Sequence, residues 1–197
     1  MNSIKINLKT TTPLSEKYLR EFLQACESSR YFIDIEIFDY SLVKNIINAL
    51  EKAAIDSPMN VRSVLITDMP FEEKEQGKGF LVENAAKKCG SYDAVLNISS
   101  EVQPCNNWLD HIDDSVFDDE YTESIYCDYY ISNGKEKVHI FQKSQPVANG
   151  TIPALILSTG KIKEVYEKAK GEADIVIFQN FVSKHIPYPL FLVTQNV

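Results

Sequence analysis

The sequence predicts a single α/β domain spanning residues 1–197, with a mixed parallel and antiparallel sheet flanked by helices. Three observations predict it. Period-two apolar runs alternate with amphipathic stretches of helical period through the first third of the chain. An Asn133-Gly134 pair sits between two strand-like runs in the C-terminal half. Finally, 44% hydrophobic and 24% charged residues over 197 positions are enough to bury one ordinary core.

Ile4, Ile6 and Leu8 alternate with polar residues, as in a half-buried strand. Thr12 and Pro13 then offer an N-cap and a proline at the first helical position, predicting a helix to about residue 28. Tyr18, Leu19, Phe22, Leu23 and Cys26 recur at three and four residues and form its buried stripe. A strand is expected over 31–38, a helix over 41–55 and a third strand over 61–67. Helices linking short strands imply βαβ crossovers and a partly parallel sheet. A charged loop (68–79), a helix (80–88) stopped at Cys89-Gly90 and a buried strand (92–98) follow.

From 99 to 121 neither period holds, and Pro104 interrupts a polar, acidic stretch. Trp108, Leu109, Ile112, Val116 and Phe117 lie at roughly helical spacing, so the expectation is an ordered excursion with short helical turns. Runs 124–131 and 137–143 flank Ser132-Asn133-Gly134-Lys135 and predict an antiparallel hairpin, because Asn and Gly both accept positive φ. A strand at 152–157, a helix from Thr159 to Gly171 and strands at 174–178 and 190–193 complete the chain. Pro187 and Pro189 place the last strand near an edge.

Charge is concentrated. The net charge is -8, yet between Cys89 and Gly134 there are ten acidic residues and no Lys or Arg, leaving 20 basic against 18 acidic residues elsewhere. This argues against nucleic acid as a direct partner, since that affinity comes from Lys and Arg displacing counterions. The N-terminus lacks the apolar core of a signal peptide and no run reaches membrane-spanning length, so a cytoplasmic protein with no membrane partner is expected. Four cysteines without a CxxC pair read as buried free thiols.

Four constellations bear on chemistry. The acidic excursion, with Trp108, Asp110, Asp113, Asp114, Asp118, Asp119 and Glu120, suits a basic protein partner, although a solvated acidic loop has the same composition. Asp34 and Glu36 share one strand face, as paired carboxylates that bind Mg²⁺ or Mn²⁺ do, with Asp128 on a later strand as the alternative ligand; salt bridges on a polar sheet face are the ordinary explanation of the pair. The element order from residue 80 parallels restriction-endonuclease-like folds, but Phe141-Gln142-Lys143 lacks the acid that an acid-x-Lys site needs. Thr159, Gly160 and Lys161 lie between a strand and a helix, where an anion is favoured, without the glycine of a P-loop. His111, His139 and His185 form no recognisable triad.

The resulting expectation is a non-enzymatic binding protein whose acidic surface engages a basic protein, in the manner of an inhibitor that mimics nucleic-acid charge. The alternative is a Mg²⁺- or Mn²⁺-dependent phosphoesterase or nuclease-like enzyme. No cofactor is expected, and the oligomeric state is left open.

Overall fold

The computed structural model describes residues 1–10, 12–39, 61–68, 91–122, 124–141, 155–157 and 182–194. The helices expected over 41–55, 80–88 and 160–171 and the strand over 174–178 lie outside these residues, as do Thr159, Gly160 and Lys161.

Strand β1 (Asn2–Thr10) buries Ile4, Ile6 and Leu8 completely on one face. The helix that follows, α1 (Glu16–Ala25), starts later than expected: Ser15 is the cap, its Oγ accepting the Tyr18 amide at 3.1 Å. Thr12 cannot serve, because residues 12–14 form a connection and its carbonyl accepts from Thr10 Oγ1. Leu19, Phe22 and Leu23 pack onto the sheet as their spacing predicts.

Strand β2 (Tyr31–Asp39) pairs parallel with β1, β3 (Val61–Asp68) parallel with β2, and β4 (Ala94–Ser99) parallel with the other edge of β1. Four strands follow in β5 (Val102–Pro104), β6 (Ser124–Ser132), β7 (Lys137–Ile140) and β8 (Leu155–Leu157), and the last is β9 (Ser183–Thr194). Together the nine form one sheet in the order β3-β2-β1-β4-β8-β6-β9-β5, with β7 paired to β6. Strand β8 runs antiparallel between β4 and β6, β9 parallel to β6, and β5 antiparallel to β9. The sheet is therefore mixed, as expected.

One local expectation changes. The turn between β6 and β7 is a four-residue connection in which Gly134 has φ +83° and Asn133 does not enter the left-handed region. Asn133 contributes its side chain instead, Oδ1 accepting from the Lys135 and Glu136 amides at 3.0 and 2.9 Å. Strand β9 lies next to the edge of the sheet, as expected: β6 pairs along one side, β5 covers only Phe191–Val193 on the other, and the register shifts around Asp128, which pairs with Pro189 while Cys127 pairs with Ile186. Pro187 and Tyr188 fall in that bulge, where no ladder amide is required.

The excursion after β4 is ordered. It holds β5 and two 3-10 turns, Trp108–His111 and Asp114–Val116. Trp108, Leu109, Ile112 and Val116 are buried, and the Trp108 ring lies 5.4 Å from that of Phe191 on β9. These side chains share the α1 face of the sheet. The opposite face is polar yet also buried, carrying Lys5, Asn7, Asp34, Glu36, Asn97 and Asp128. Among the described residues no helix is long and apolar enough to cross a membrane.

Candidate functional site

Strand order determines where a crevice can form. From β1 the chain proceeds through β2 to β3 on one side, then returns to place β4 on the other side of β1. In an open parallel sheet the connections leaving such a pair diverge, so ligands bind outside the carboxyl ends of the strands at that point. Here the rim carries Thr10 beside Asp39, Asp39 beside Asp68, and Lys9 beside Ser99. Asp39 is buried and Ser99 Oγ is a buried hydroxyl that makes no hydrogen bond.

A cleft of about 320 Å³ opens at this rim. Thr12, Ser15 and Tyr18 line it on the α1 side, Ser100, Glu101 and Gln103 on the β4–β5 side, with Thr194 at the end of β9. The walls are tied together. The Ser100 amide donates to the Lys9 carbonyl and the Thr194 amide to the Glu101 carbonyl, both at 2.9 Å, while Tyr18 Oη donates to the Val102 carbonyl at 3.2 Å. Burial, and then the neighbouring Cys26 thiol, push the Tyr18 phenol well above its ordinary range, so it acts as a neutral hydroxyl. Hydroxyls, one amide and one carboxylate stand beside Pro13 and Leu14, a half-polar lining that can take a polyhydroxylated ligand.

Asp34 and Glu36 share a face of β2, as their period requires, but each is engaged: Lys5 Nζ is 3.2 Å from Glu36 Oε2, and Tyr92 Oη donates to Asp34 Oδ2 at 2.7 Å. Asp128 is not with them. It lies across β4 and β8 on β6, with His185 Nε2 2.9 Å from Oδ1 and His139 Nε2 3.3 Å from Oδ2. Among the described residues no three His, Cys, Asp or Glu side chains converge as a metal ion would require.

The acidic excursion is used internally. Asp114 accepts from Tyr31 Oη at 2.6 Å and pairs with Arg30 at 2.8 Å, and these two contacts, in that order, lower its carboxyl below the usual range. Asp113 accepts the Ser115 amide, which lowers it likewise. Asp119 accepts from Thr122 Oγ1 at 2.7 Å and from the Tyr121 amide at 2.9 Å, and is lowered mainly by the former. Asp110, Asp118 and Glu120 are exposed, whereas Trp108 is core and offers a partner no surface.

No protein-family model matches the chain, and no curated protein sequence matches it. Solved structures do. The crystal structure of S. aureus TarS matches 99% of this chain at a TM-score of 0.62 and 14% identity. Residues 1–349 of TarS in complex with UDP-GlcNAc match all of it at 0.61 and 12%, and the same piece with UDP at 0.61 and 15%. The chain spans 37% of the longer TarS chain and 59% and 61% of the two shorter ones. The likeness is one of fold, and it corrects the functional expectation. A whole-chain match to the fold that in TarS holds UDP-GlcNAc stands against both the charge-mimicking binder and the metal-dependent phosphoesterase. Nothing in the sequence pointed to the rim cleft, because its walls come from positions 85 apart at Ser15 and Ser100 and meet only through the β1–β4 pairing.

Proposed function

We propose that this chain is the sugar-nucleotide-binding part of a glycosyl-transferring enzyme, taking a UDP-sugar at the carboxyl rim of β1, β2 and β4. The observation that carries the reading is the hydroxyl-bearing cleft at the point where strand order reverses, in a fold whose TarS counterparts hold UDP-GlcNAc and UDP. A sugar nucleotide and its nucleoside diphosphate are the two ends of one chemistry, since transfer of the sugar leaves the diphosphate behind.

In this reading Asp39, at the end of β2, accepts from hydroxyls of the ribose, the role a carboxylate at that strand end plays in dinucleotide-binding sheets. Glu101 and Gln103 face the hexose, whose hydroxyls need acceptors and donors in close alternation. Calorimetry and thermal melting with UDP-GlcNAc and with UDP test the proposal. At a hundredfold excess over Kd, binding adds about 2.7 kcal/mol and raises the midpoint by several degrees. Failure of both ligands to bind or shift the midpoint at millimolar concentration refutes it.

A further inference from the structure

Asp128 is 1% exposed and stands between two imidazoles. Strands β7 and β9 both pair with Tyr129–Ser132 of β6, so they approach from opposite sides and bring His139 and His185 to different carboxylate oxygens. Both imidazoles keep about a third of their surface exposed (30% and 32%). Tyr126 stacks on His185 at 4.8 Å, and His139 lies between Tyr130 at 5.3 Å and Phe141 at 4.2 Å. Lys137 Nζ is 4.0 Å from the Tyr130 ring centre, and the buried Cys127 thiol adjoins Asp128.

The cluster stands beside the carboxyl end of β4. Val95 pairs with Ile156 and Ile156 with Ser124, so Asp128, four residues along β6, stands level with Ser99 and on its face of the sheet. Two strand spacings, about 10 Å, separate them. With both Nε2 atoms turned to Asp128, the Nδ1 atoms point away from the carboxylate.

We infer that His185, oriented by Asp128, is the catalytic base for the incoming hydroxyl. This rests on the sugar-nucleotide reading. The hydroxyl oxygen forms its bond to the anomeric carbon of the donor. The bond from that carbon to the diphosphate oxygen breaks, and its electron pair leaves with UDP. The hydroxyl proton passes to His185 Nδ1, and Asp128 holds the resulting imidazolium through Nε2–H, as a buried carboxylate does for a general-base histidine. His185 is assigned over His139 because its contact is the shorter, and His139 Nε2 makes no well-directed hydrogen bond. Asp128 and His139 are positioning residues.

The test uses the full chain with UDP-GlcNAc as donor and water as acceptor, measuring UDP release across pH, with donor affinity by calorimetry in parallel. H185Q is expected to slow release roughly a hundredfold or more at unchanged donor affinity and to abolish the acidic limb of the rate profile. D128N should slow release while keeping that limb, and it carries the test if H185Q melts below the wild type. Undiminished release in both variants overturns the inference, as does a loss of release that tracks a loss of donor affinity. A wild type that binds donor but releases no UDP overturns it while leaving the sugar-nucleotide reading intact. Absence of donor binding removes both.

Discussion

Arg30 Nη2 lies 2.8 Å from Asp114 Oδ1, and the neighbouring Tyr31 Oη donates to the same oxygen at 2.6 Å, so the start of β2 holds the acidic excursion by its own aspartate. A segment that looks like a docking surface in sequence is thereby fastened to the body. The carboxylates of Asp113, Asp114 and Asp119 act on the protein's own amides, hydroxyls and one guanidinium.

This arrangement contributes to the acid stability of the protein. Asp113, Asp114 and Asp119 all have carboxyls lowered in the folded state. A group with a depressed folded value contributes stability that is present above its unfolded value and is lost as pH falls through the folded one. The loss should begin below about pH 4, the ordinary carboxylate value. Thermal midpoints followed down to about pH 2 are expected to fall more steeply for the wild type than for the D113N/D114N/D119N variant. Equal slopes would show that these contacts do not couple to folding.

Trp108 provides a second measurement. It is the sole tryptophan, is 1% exposed, and packs on Phe191. Its emission should be that of a buried indole and shift to the red on unfolding in urea. Trp108→Ala removes a fully buried ring and should cost about 3–5 kcal/mol, seen as a lower urea midpoint at similar slope. A cost under about 1 kcal/mol, the range of ordinary surface changes, would return Trp108 to the surface.

On the polar face, Lys5 and Glu36 form a pair with side chains only 5% and 9% exposed. Removing one partner leaves a charge in a poorly solvated place, so Lys5→Met or Glu36→Leu alone should destabilise by about 3–5 kcal/mol. The double variant K5M/E36L is expected to recover much of that loss, because two apolar groups of similar size need no compensation. Additive losses in the double-mutant cycle would mean that the two side chains act independently.

Which parts were legible follows from the range of the interactions. Ile4, Ile6 and Leu8, the α1 stripe and the hairpin rest on periods and turn residues within a few positions, and the sequence carries them directly. The face shared by Asp34 and Glu36 was equally local, but the cation that neutralises Glu36 comes from β1, 31 positions away. The His185–Asp128 contact depends on a parallel pairing across 57 positions and on a bulge that takes up Pro187 and Tyr188, neither of which a propensity encodes. The rim cleft is more remote still: it exists because β4 returns to the free edge of β1, a choice made by the whole sheet.

The proposed ligand is directional, and that gives the last prediction. If the nucleoside lies over the ends of β1 and β2 and the hexose against the β4–β5 wall, substitutions on the two sides should separate. Asp39→Asn takes a charged acceptor from the ribose and is expected to weaken UDP and UDP-GlcNAc alike, by roughly 10- to 100-fold for a hydrogen bond worth about 1.5–3 kcal/mol. Glu101→Ala and Gln103→Ala remove side chains that line the cleft on the β4–β5 side. They should weaken UDP-GlcNAc by a similar factor and leave UDP unchanged. Calorimetry with both ligands on all three variants decides the matter. Equal losses for the two ligands in Glu101→Ala would place that wall against the diphosphate or the nucleoside, and the orientation assigned here would be reversed.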